Sequence, residues 1–383
     1  MGQDITLTSK DGFQLGAYKA EPEGKPRGAV VVIQEIFGVN HHIRSVADRY
    51  AQLGYLAIAP ALFDRGEKNF QSGYDGAAMD KARGLVGKIS LDDPAAKFVP
   101  QWENDPRKSQ IKIRHLGSHT SGIEDAEADM LSHDKLTGWK GDFWRQLDPP
   151  HDPFSISRDL APMLFDPGQK LQYSNPGIGM LTYCVTAAIQ DSECKDIRTL
   201  LRRRVMQPIG VSDNEWSCGY NKTYTVNGLP LVCSWGGGSY SARACASIGR
   251  LMLRQGDWDG QRLLSTDAVQ LVTGSAGLPG ACGMGWWTNA AGRYARLPSD
   301  AYWGAGAGDQ LLVVVPSLNL IMVRNGQTLQ PGPGEEPVRQ DDVFTRYHDY
   351  RARILLEPLI GAVNAASTPA TAAKGSDVGS VGL

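Results

Sequence analysis

Short apolar runs and one amphipathic stretch divide the first part of the chain into predicted strands and a helix. Residues 5–20 predict two short strands joined by a turn. The run AVVVIQ at 29–34 is continuously apolar and β-branched, which predicts a strand buried on both faces. Residues 43–53 have helical spacing, and residues 55–59 predict a second buried strand. This order predicts a β-α-β unit, in which ligands gather beyond the carboxyl ends of the strands.

The pattern changes after residue 90, where strands and helices follow in blocks. IKIR at 111–114 alternates between apolar and basic residues and predicts a half-buried strand. The apolar run at 178–189 predicts a buried helix. Residues 311–316 and 320–325 predict a β-hairpin, and residues 342–363 predict an amphipathic helix that packs on a sheet.

Composition and charge exclude several classes of protein. The chain is 42% hydrophobic with a formal net charge of −2, so neither nucleic acid nor an anionic membrane is an expected partner. No run approaches the ~18 apolar residues that span a bilayer. The start, MGQDITLTSKDG, has no signal-peptide core, so the sequence as it stands predicts a cytoplasmic protein.

Cysteine and histidine spacing gives no indication of a metal site. The six cysteines contain no C-x-x-C pair, although Cys218 and Cys233 could form a disulfide in an exported protein. His115 and His119 have i,i+4 spacing but no glutamate between them and no third ligand. We therefore expect no metal and no cofactor.

The segment LQYSNPGIGMLTY at 171–183 contains the most informative side chains. Tyr173 and Asn175 flank a serine, and Asn175 is predicted to cap a helix whose first residue is Pro176. Both side chains would then lie on a short turn at the helix start, where they could enter a cleft. The plain alternative is a capped helix beside a surface tyrosine.

The segment VVVIQEIFGVNHHIRSVADRYAQLGYLAIAPALFDR resembles the first third of the dienelactone hydrolase family, a branch of the α/β-hydrolases. The resemblance covers about residues 26–66 and fades by about residue 86. It implies that Glu35 lies beside a nucleophilic cysteine and that the amide of Ile36 contributes to an oxyanion hole. It also makes Arg44 a substrate contact.

The nucleophile that this resemblance requires is missing from the sequence. An α/β-hydrolase carries its nucleophile on a G-x-[SC]-x-G turn, where small neighbours permit the strained backbone. Cys282 has Met284 where the second glycine is required, and Ser239 has Ser241 there. Without a nucleophile, we expect Glu35 to be inert.

Residues from about 87 to 360 resemble the class C β-lactamase-related serine hydrolases, which include esterases and D-amino-acid peptidases. The matching elements, in chain order, are HTSG at 119–122, YSN at 173–175, WGGGS at 235–239, GMGWW at 283–287 and WGAGAGDQ at 303–310. The resemblance implies an antiparallel sheet with a helical lobe, and acyl transfer from an ester or amide.

Glycines form the last of these elements, where the family often has K-T-G or H-x-G. Here Trp303 or Gly304 stands in place of the lysine or histidine. Glycines let a strand approach a substrate closely, so the backbone of Gly304, Gly306 and Gly308 is expected to face the substrate and an oxyanion. A plain flexible turn is the alternative.

The nucleophilic serine of these hydrolases belongs to an S-x-x-K motif on a helix, where the lysine can take the serine proton. In relatives the motif lies shortly before the GKISLDD segment, but here that place holds YDGAAMDKARGLV at 74–86, which contains no serine. Three S-x-x-K strings occur elsewhere, and we expect none to be catalytic: Ser109/Lys112, Ser132/Lys135 and Ser192/Lys195. Tyr173 would keep its place as the proton-transferring base, with no nucleophile to activate.

These observations predict a chimera of two hydrolases. Residues 1–86 form a partial α/β-hydrolase β-α-β segment, residues 87–363 an incomplete α+β domain of the β-lactamase/penicillin-binding type, and residues 364–383 a disordered tail. A natural fusion, an engineered one and an assembly error of two genes all fit the sequence. Relatives of the second part are often exported.

The leading functional hypothesis is a β-lactamase-related serine hydrolase that acts on a small-molecule ester or amide and is impaired because the S-x-x-K nucleophile is missing. Tyr173 and Asn175 are its expected catalytic residues. One alternative is a non-catalytic protein that retains the cleft and binds a ligand. The other is a dienelactone hydrolase-like carboxylic ester hydrolase, which needs Glu35 to cooperate with a cysteine.

Overall fold

The protein divides into two compact units, Met1–Ser90 and Leu91–Leu383. The computed structural model describes residues 2–9, 12–65, 67–73, 90–128, 131–274, 282–329 and 355–367. The place expected for S-x-x-K, residues 74–86, lies outside the described residues, as do residues 368–383 of the predicted tail. The first four residues of that tail, 364–367, are helical, so the prediction of disorder is wrong there. None of the described helices has both the length and the apolar character that crossing a bilayer requires.

The described part of unit 1 contains a four-stranded sheet and one α-helix. Its elements are β1 (Gln3–Thr8), β2 (Gln14–Ala20), β3 (Ala29–Val31), helix α1 (His41–Gln52) and β4 (Leu56–Pro60). The strand order is β1-β2-β4-β3, with β3 and β4 parallel and the other pairs antiparallel. Because α1 connects the parallel strands β3 and β4, the predicted β-α-β unit is confirmed.

Small side chains allow α1 to pack closely on this sheet. The Asn40 side chain accepts a hydrogen bond from the Ile43 amide at 3.3 Å and so caps the helix. Ile43 and Ala47 then pack against Ala57 and Ala59 of β4, and the three alanines are completely buried. The apolar stripe of one amphipathic helix therefore covers one face of the sheet.

The other face of β3 is open, which corrects the prediction of a strand buried on both sides. Val32 is 7% exposed, whereas Val31 and Ile33 are each 62% exposed. Alternate residues of an extended chain point to opposite faces, and among the described residues only the Val32 face is covered. An apolar run reveals a strand but not how many layers cover it.

Unit 2 contains eight helices among the described residues: α2 (Ile113–Gly117), α3 (Gly138–Arg145), α4 (Pro153–Asp159), α5 (Asn175–Ile189), α6 (Ile197–Leu201), α7 (Ala242–Leu253), α8 (Thr266–Thr273) and α9 (Glu357–Ser367). The helix predicted at 178–189 is confirmed by α5. The strand predicted at 111–114 is wrong, because α2 begins within it. Ile113 and Leu116 are both buried, and this i,i+3 spacing belongs to a helix rather than a strand.

The strands of unit 2 are β5 (Trp216–Ser217), β6 (Tyr224–Val226), β7 (Leu229–Leu231), β8 (Ser239–Tyr240), β9 (Asp257–Trp258), β10 (Gln261–Arg262), β11 (Trp287–Thr288), β12 (Tyr302–Gly306), β13 (Gln310–Val315) and β14 (Leu320–Arg324). The main sheet is antiparallel with the order β11-β12-β13-β14. The hairpin of β13 and β14 confirms the prediction for 311–325. Helices beside this sheet confirm the predicted α+β class.

Two helices of unit 2, α7 and α9, pack on apolar residues of the main sheet. A Cβ atom at Gly249 would lie 2.9 Å from Leu312 and from Ile321, so this glycine lets α7 approach β13 and β14. Ile360 of α9 belongs to a separate buried cluster that contains Trp287 and Trp303. Tyr173 packs against this second cluster, which places it beside β11 and β12.

The open face of β3 generates a test of self-association. Exposed apolar residues on a terminal strand favour aggregation, so Ile33→Lys should lower the aggregated fraction without changing the free energy of unfolding. Light scattering and urea unfolding measure the two quantities.

The adjacent buried position provides the matched control. Val32→Thr places a hydroxyl group in the core and should cost roughly 1–3 kcal/mol of stability while leaving Val31 and Ile33 exposed. Unchanged light scattering for Ile33→Lys would show that this face does not drive association.

Candidate active site

The side chain of Tyr173 lies immediately before the start of α5. Ser174 caps the helix, because its Oγ accepts a hydrogen bond from the Gly177 amide at 3.0 Å. The predicted cap, Asn175, is instead the first helical residue, and Pro176 is the second. Serine and asparagine are both good caps, and here the side chain of Asn175 is bound elsewhere.

A carboxylate on a distant loop holds Asn175. Oδ1 of Asp125 accepts hydrogen bonds from the backbone N of Asn175 at 2.8 Å and from its Nδ2 at 3.0 Å. The amide is thereby turned so that its own Oδ1 accepts a hydrogen bond from the Tyr173 hydroxyl at 3.3 Å. The two expected catalytic residues are thus brought together, with Asp125 as a third member of the chain.

His119 forms an aromatic wall of the site. Its Nδ1 accepts a hydrogen bond from the Ser174 amide at 3.3 Å, so the ring carries its proton on Nε2. The ring centroid lies 4.4 Å from that of Tyr173 and 5.6 Å from that of Trp287. Burial lowers the pKa of His119 to about 4, so the ring is neutral at physiological pH.

No group of metal-ligating side chains occurs in the described part of the chain. The nitrogen Nδ1 of His115 accepts the Lys112 amide at 3.1 Å, as Nδ1 of His119 accepts that of Ser174. In both histidines of the i,i+4 pair, Nδ1 is therefore occupied as the acceptor of a backbone N–H.

Carboxyl groups dominate the electrostatics around the phenol. Burial raises the pKa of Tyr173 above its ordinary value, and the negative charges of Asp125 and Glu127 raise it further. Burial also raises the pKa of Asp125 to about 6; Glu127 raises it too, whereas the amide of Asn175 lowers it. A phenol with a raised pKa is a poor proton acceptor at neutral pH.

The glycine-rich strand borders the same cluster. Strand β12 pairs with β11 at Tyr302 and Trp303. From Gly304 onward, the described pairing of β12 is with β13, on one side of the strand. No atom of the described residues lies within 4 Å of the position that a Cβ of Gly304 would take, so this part of the structure leaves the strand open there. Gly306 ends the strand, and Gly308 lies in the following turn with a φ of +72°.

By the resemblance, Trp303 or Gly304 stands where the family often has lysine or histidine, and neither residue carries a charge. Trp303 is 4% exposed, and its ring contacts Tyr294 with centroids 5.9 Å apart. This residue therefore belongs to the core and supplies no charge to the cleft.

The three S-x-x-K strings lie apart from Tyr173. Ser109 is in a 3₁₀ turn, Ser132 precedes another, and Ser192 bonds the Cys194 carbonyl after α5 has ended. The lysines of the three strings, Lys112, Lys135 and Lys195, are all exposed. In the described structure, the contacts of the Tyr173 side chain are made with aromatic rings, with Asn175 and with the cluster beside β11.

In unit 1 the expected site residues do not form a reactive group. Glu35 is exposed, and Ile36 lies in a turn closed by a bond from the Gly38 amide to the Glu35 carbonyl at 3.1 Å. Arg44 forms a salt bridge with Asp4 at 2.9 Å. It also lies 4.8 Å from the ring centroid of Tyr18. Arg44 lines an open groove of about 590 Å³, but its charge is already paired.

Sequence reasoning missed the roles of His119 and Asp125. Their hydrogen bonds to residues 174 and 175 span 55 and 50 positions of sequence. The available signal was the HTSG motif itself, which is followed three residues later by a carboxylate in an otherwise buried stretch.

Two family models match the chain. The Beta-lactamase model matches residues 82–343, and the Dienelactone hydrolase family model matches residues 15–118. Both were named by the sequence patterns, and both resemblances are confirmed.

Curated relatives match part of the chain. A "Putative carboxymethylenebutenolidase" of Synechocystis sp. is 45% identical over 87 residues, which are 22% of this chain and 35% of that protein. A protein of the same name from Escherichia coli strain K12 is 34% identical over 176 residues, or 42% of this chain and 61% of that protein. The chain therefore spans only about a third to three fifths of these relatives.

A solved structure resembles nearly the whole chain. The "Putative 6-aminohexanoate-dimer hydrolase from Bacillus anthracis" aligns with a TM-score of 0.50 and 13% identity, covering 95% of this chain and 92% of that one. At this identity the likeness shows the fold alone, and it agrees with the predicted β-lactamase-type architecture.

The buried histidine generates a pH test. Unfolded histidine titrates near 6.5, whereas His119 in the folded protein titrates near 4, so the unfolded chain binds more protons between these values. Relative to His119→Asn, the free energy of unfolding should rise with pH by up to about 3 kcal/mol over this range. Asparagine tolerates the left-handed backbone of position 119.

Denaturant unfolding at several pH values measures this slope. Asp125 has the opposite sign, because its raised pKa makes the folded protein bind more protons, so stability relative to Asp125→Asn should fall as pH rises through 4 to 6. The exposed His151→Asn is the matched control and should leave the pH dependence unchanged. If the difference in the free energy of unfolding between the parent and His119→Asn did not change with pH, the His119 ring would not be held neutral.

Proposed function

Because the chain belongs to the beta-lactamase family, we propose that unit 2 is a hydrolase-type domain that binds a small-molecule ester or amide beside Tyr173. We further propose that acyl transfer at this site is weak or lost. The observation that carries this proposal is that the Tyr173 hydroxyl bonds to Asn175, while the charged groups acting on it are carboxyls.

Support for binding comes from the parts of the family site that are present. Tyr173 and Asn175 are joined by a hydrogen bond, and Asp125 holds the asparagine amide in place. The strand that carries Trp303 of the buried cluster also carries Gly304, and it offers backbone groups at this open position. These groups can position a carbonyl without any covalent step.

Support for impaired turnover comes from the missing partners. A serine nucleophile needs a neighbouring base, and in S-x-x-K hydrolases a lysine lies within reach. Here every S-x-x-K string carries an exposed lysine, and residues 74–89 contain no serine. The raised pKa of Tyr173 disfavours the phenolate that would have to accept a proton.

Unit 1 by itself does not supply the nucleophile that a dienelactone hydrolase-type reaction needs. All six cysteines follow residue 183, so Met1–Ser90 contains Glu35 but no thiol. The dienelactone hydrolase-type reaction therefore has no nucleophile within unit 1.

Turnover and labelling test the loss of acyl transfer. We expect hydrolysis of nitrocefin and p-nitrophenyl acetate at the buffer rate, and no adduct with a fluorophosphonate, because no activated serine is available. Intact-mass spectrometry measures the adduct. Stoichiometric labelling of a serine would overturn the proposal, and peptide mapping would identify the nucleophile.

Ligand binding tests the retained cleft. Binding of p-nitroacetanilide, followed by calorimetry, should be saturable, and Tyr173→Phe should weaken it about three- to tenfold, the value of one hydrogen bond. Tyr50→Phe, at a half-exposed surface position in unit 1, is the matched control and should bind like the parent. Equal affinity of all three proteins would place the binding site elsewhere.

A further inference from the structure

We propose that the cleft beside Tyr173 selects ligands that carry an ammonium group next to the ester or amide. This inference rests on the proposed function and adds the charge of the ligand. It follows from the charges near Tyr173, from one carboxylate oxygen that has no hydrogen-bond partner among the described residues, and from the neighbouring aromatic rings.

The two carboxylate oxygens of Asp125 differ in their hydrogen bonding. Its Oδ1 accepts three N–H groups, from Ala126 and from the backbone and side chain of Asn175, at 2.8–3.0 Å. Its Oδ2 makes no hydrogen bond to any residue in the described ranges. The carboxyl is nevertheless close enough to Tyr173 to raise the pKa of the phenol. A donor that enters the cleft beside this phenol can therefore reach a free carboxylate oxygen.

A second carboxylate lies near the same opening. Glu127 acts electrostatically on Tyr173, Tyr220 and Asp125, and it follows Asp125 by two residues in the chain. Its Oε1 contacts Nε2 of His133 at 2.9 Å, and its side chain is 34% exposed.

The ammonium group of Lys140 does not neutralise the carboxylate of Glu127. Lys140 forms its salt bridge with the carboxylate of Glu124 at 2.8 Å and gives Glu127 only a hydrogen bond to the backbone carbonyl. The local balance near Tyr173 is therefore negative.

The opposite wall supplies no positive charge. His119, with a pKa of about 4, is neutral at physiological pH, and the resemblance places the buried Trp303 or Gly304 where relatives often have lysine or histidine. A carboxylate ligand would thus meet like charges, with no cationic partner among the described residues around Tyr173. Such a site disfavours anions by charge repulsion.

Aromatic rings complete a setting suited to a cation. The ring of His119 stacks on that of Trp287 and is tilted against that of Tyr173, and Tyr220, which acts electrostatically on Tyr173, is 43% exposed. Ring faces attract cations, and the attraction grows when the cation is partly removed from water. An ammonium group could therefore bond to Oδ2 of Asp125 while its CH₂ group packs on a ring.

This arrangement gives ligand binding a pH dependence. Asp125 faces Glu127 along its own loop and Tyr173 and Asn175 at the start of α5, and its pKa lies near 6. A bound ammonium favours the ionised carboxylate, so affinity for a cation should fall as the pH drops below 6. Affinity for a neutral ligand has no such dependence on Asp125.

A matched series of p-nitroanilides tests the charge preference. Glycine p-nitroanilide carries CH₂NH₃⁺, propionic p-nitroanilide carries CH₂CH₃ in its place, and malonic mono-p-nitroanilide carries CH₂COO⁻. We expect calorimetry at pH 7 to give the order glycine, propionic, malonic, with glycine about tenfold tighter than propionic, as for a hydrogen bond between charged groups. The glycine advantage should shrink at pH 5.

Variants assign the preference to its residues. Asp125→Asn keeps an oxygen acceptor for the N–H groups of Asn175 but removes the charge, so it should bring the affinities of the glycine and propionic compounds to the same value. Glu127→Gln, which lies on the exposed side, should reduce the same advantage and serves if Asp125→Asn does not fold. Asp213→Asn removes an exposed charge paired with Arg202 and should change nothing.

The outcomes separate this inference from the function on which it rests. If the glycine and propionic compounds bind equally in the parent protein, the charge preference is wrong while the cleft stands. If none of the three compounds binds, the proposed binding function itself fails. A preference that survives both Asp125→Asn and Glu127→Gln would also overturn the assignment.

Discussion

The contact between Asp125 and Asn175 is the interaction on which the candidate site depends. It joins the loop that follows α2 to the first turn of α5, and it uses both N–H groups that Asn175 can offer to one oxygen. Hydrogen bonds to an ionised acceptor are stronger than those between neutral groups, and a half-buried carboxylate needs them to remain charged. The direction of the Asn175 amide, and with it the hydrogen bond of Tyr173, follows from this one contact.

Elements that depend on local pattern were predictable from the sequence. The period of apolar residues identified α1 and α5, and the turn between two β-branched runs identified the β13–β14 hairpin. The first residue of α5 was harder to predict, because Ser174 and Asn175 are both good caps. Only the distant carboxylate of Asp125 decides between them. The segment at 111–114 failed because four residues fit both a strand and the entry to a short helix.

Features that depend on neighbours in space could not be predicted. β3 is apolar on both faces, but its burial depends on which layers are present, and Val31 and Ile33 remain exposed. The motif YSN identified Tyr173 and Asn175, whereas His119 was considered only as a metal ligand. Its role as a neutral aromatic wall becomes visible once the bond to the Ser174 amide occupies Nδ1 and Trp287 lies against the ring.

The chemistry open to a buried tyrosine depends on the sign of the charge beside it. A neighbouring ammonium stabilises the phenolate and makes the residue a base, whereas neighbouring carboxylates stabilise the phenol and make it a hydrogen-bond donor. Around Tyr173 the second case holds, because burial raises the pKa of the phenol and Asp125 and Glu127 raise it further. The carboxylates that disfavour the phenolate are the same groups that we propose to attract a cation. An ammonium-bearing ligand would partly restore the missing positive charge, so the proposed loss of turnover and the proposed preference for a cation share an electrostatic cause.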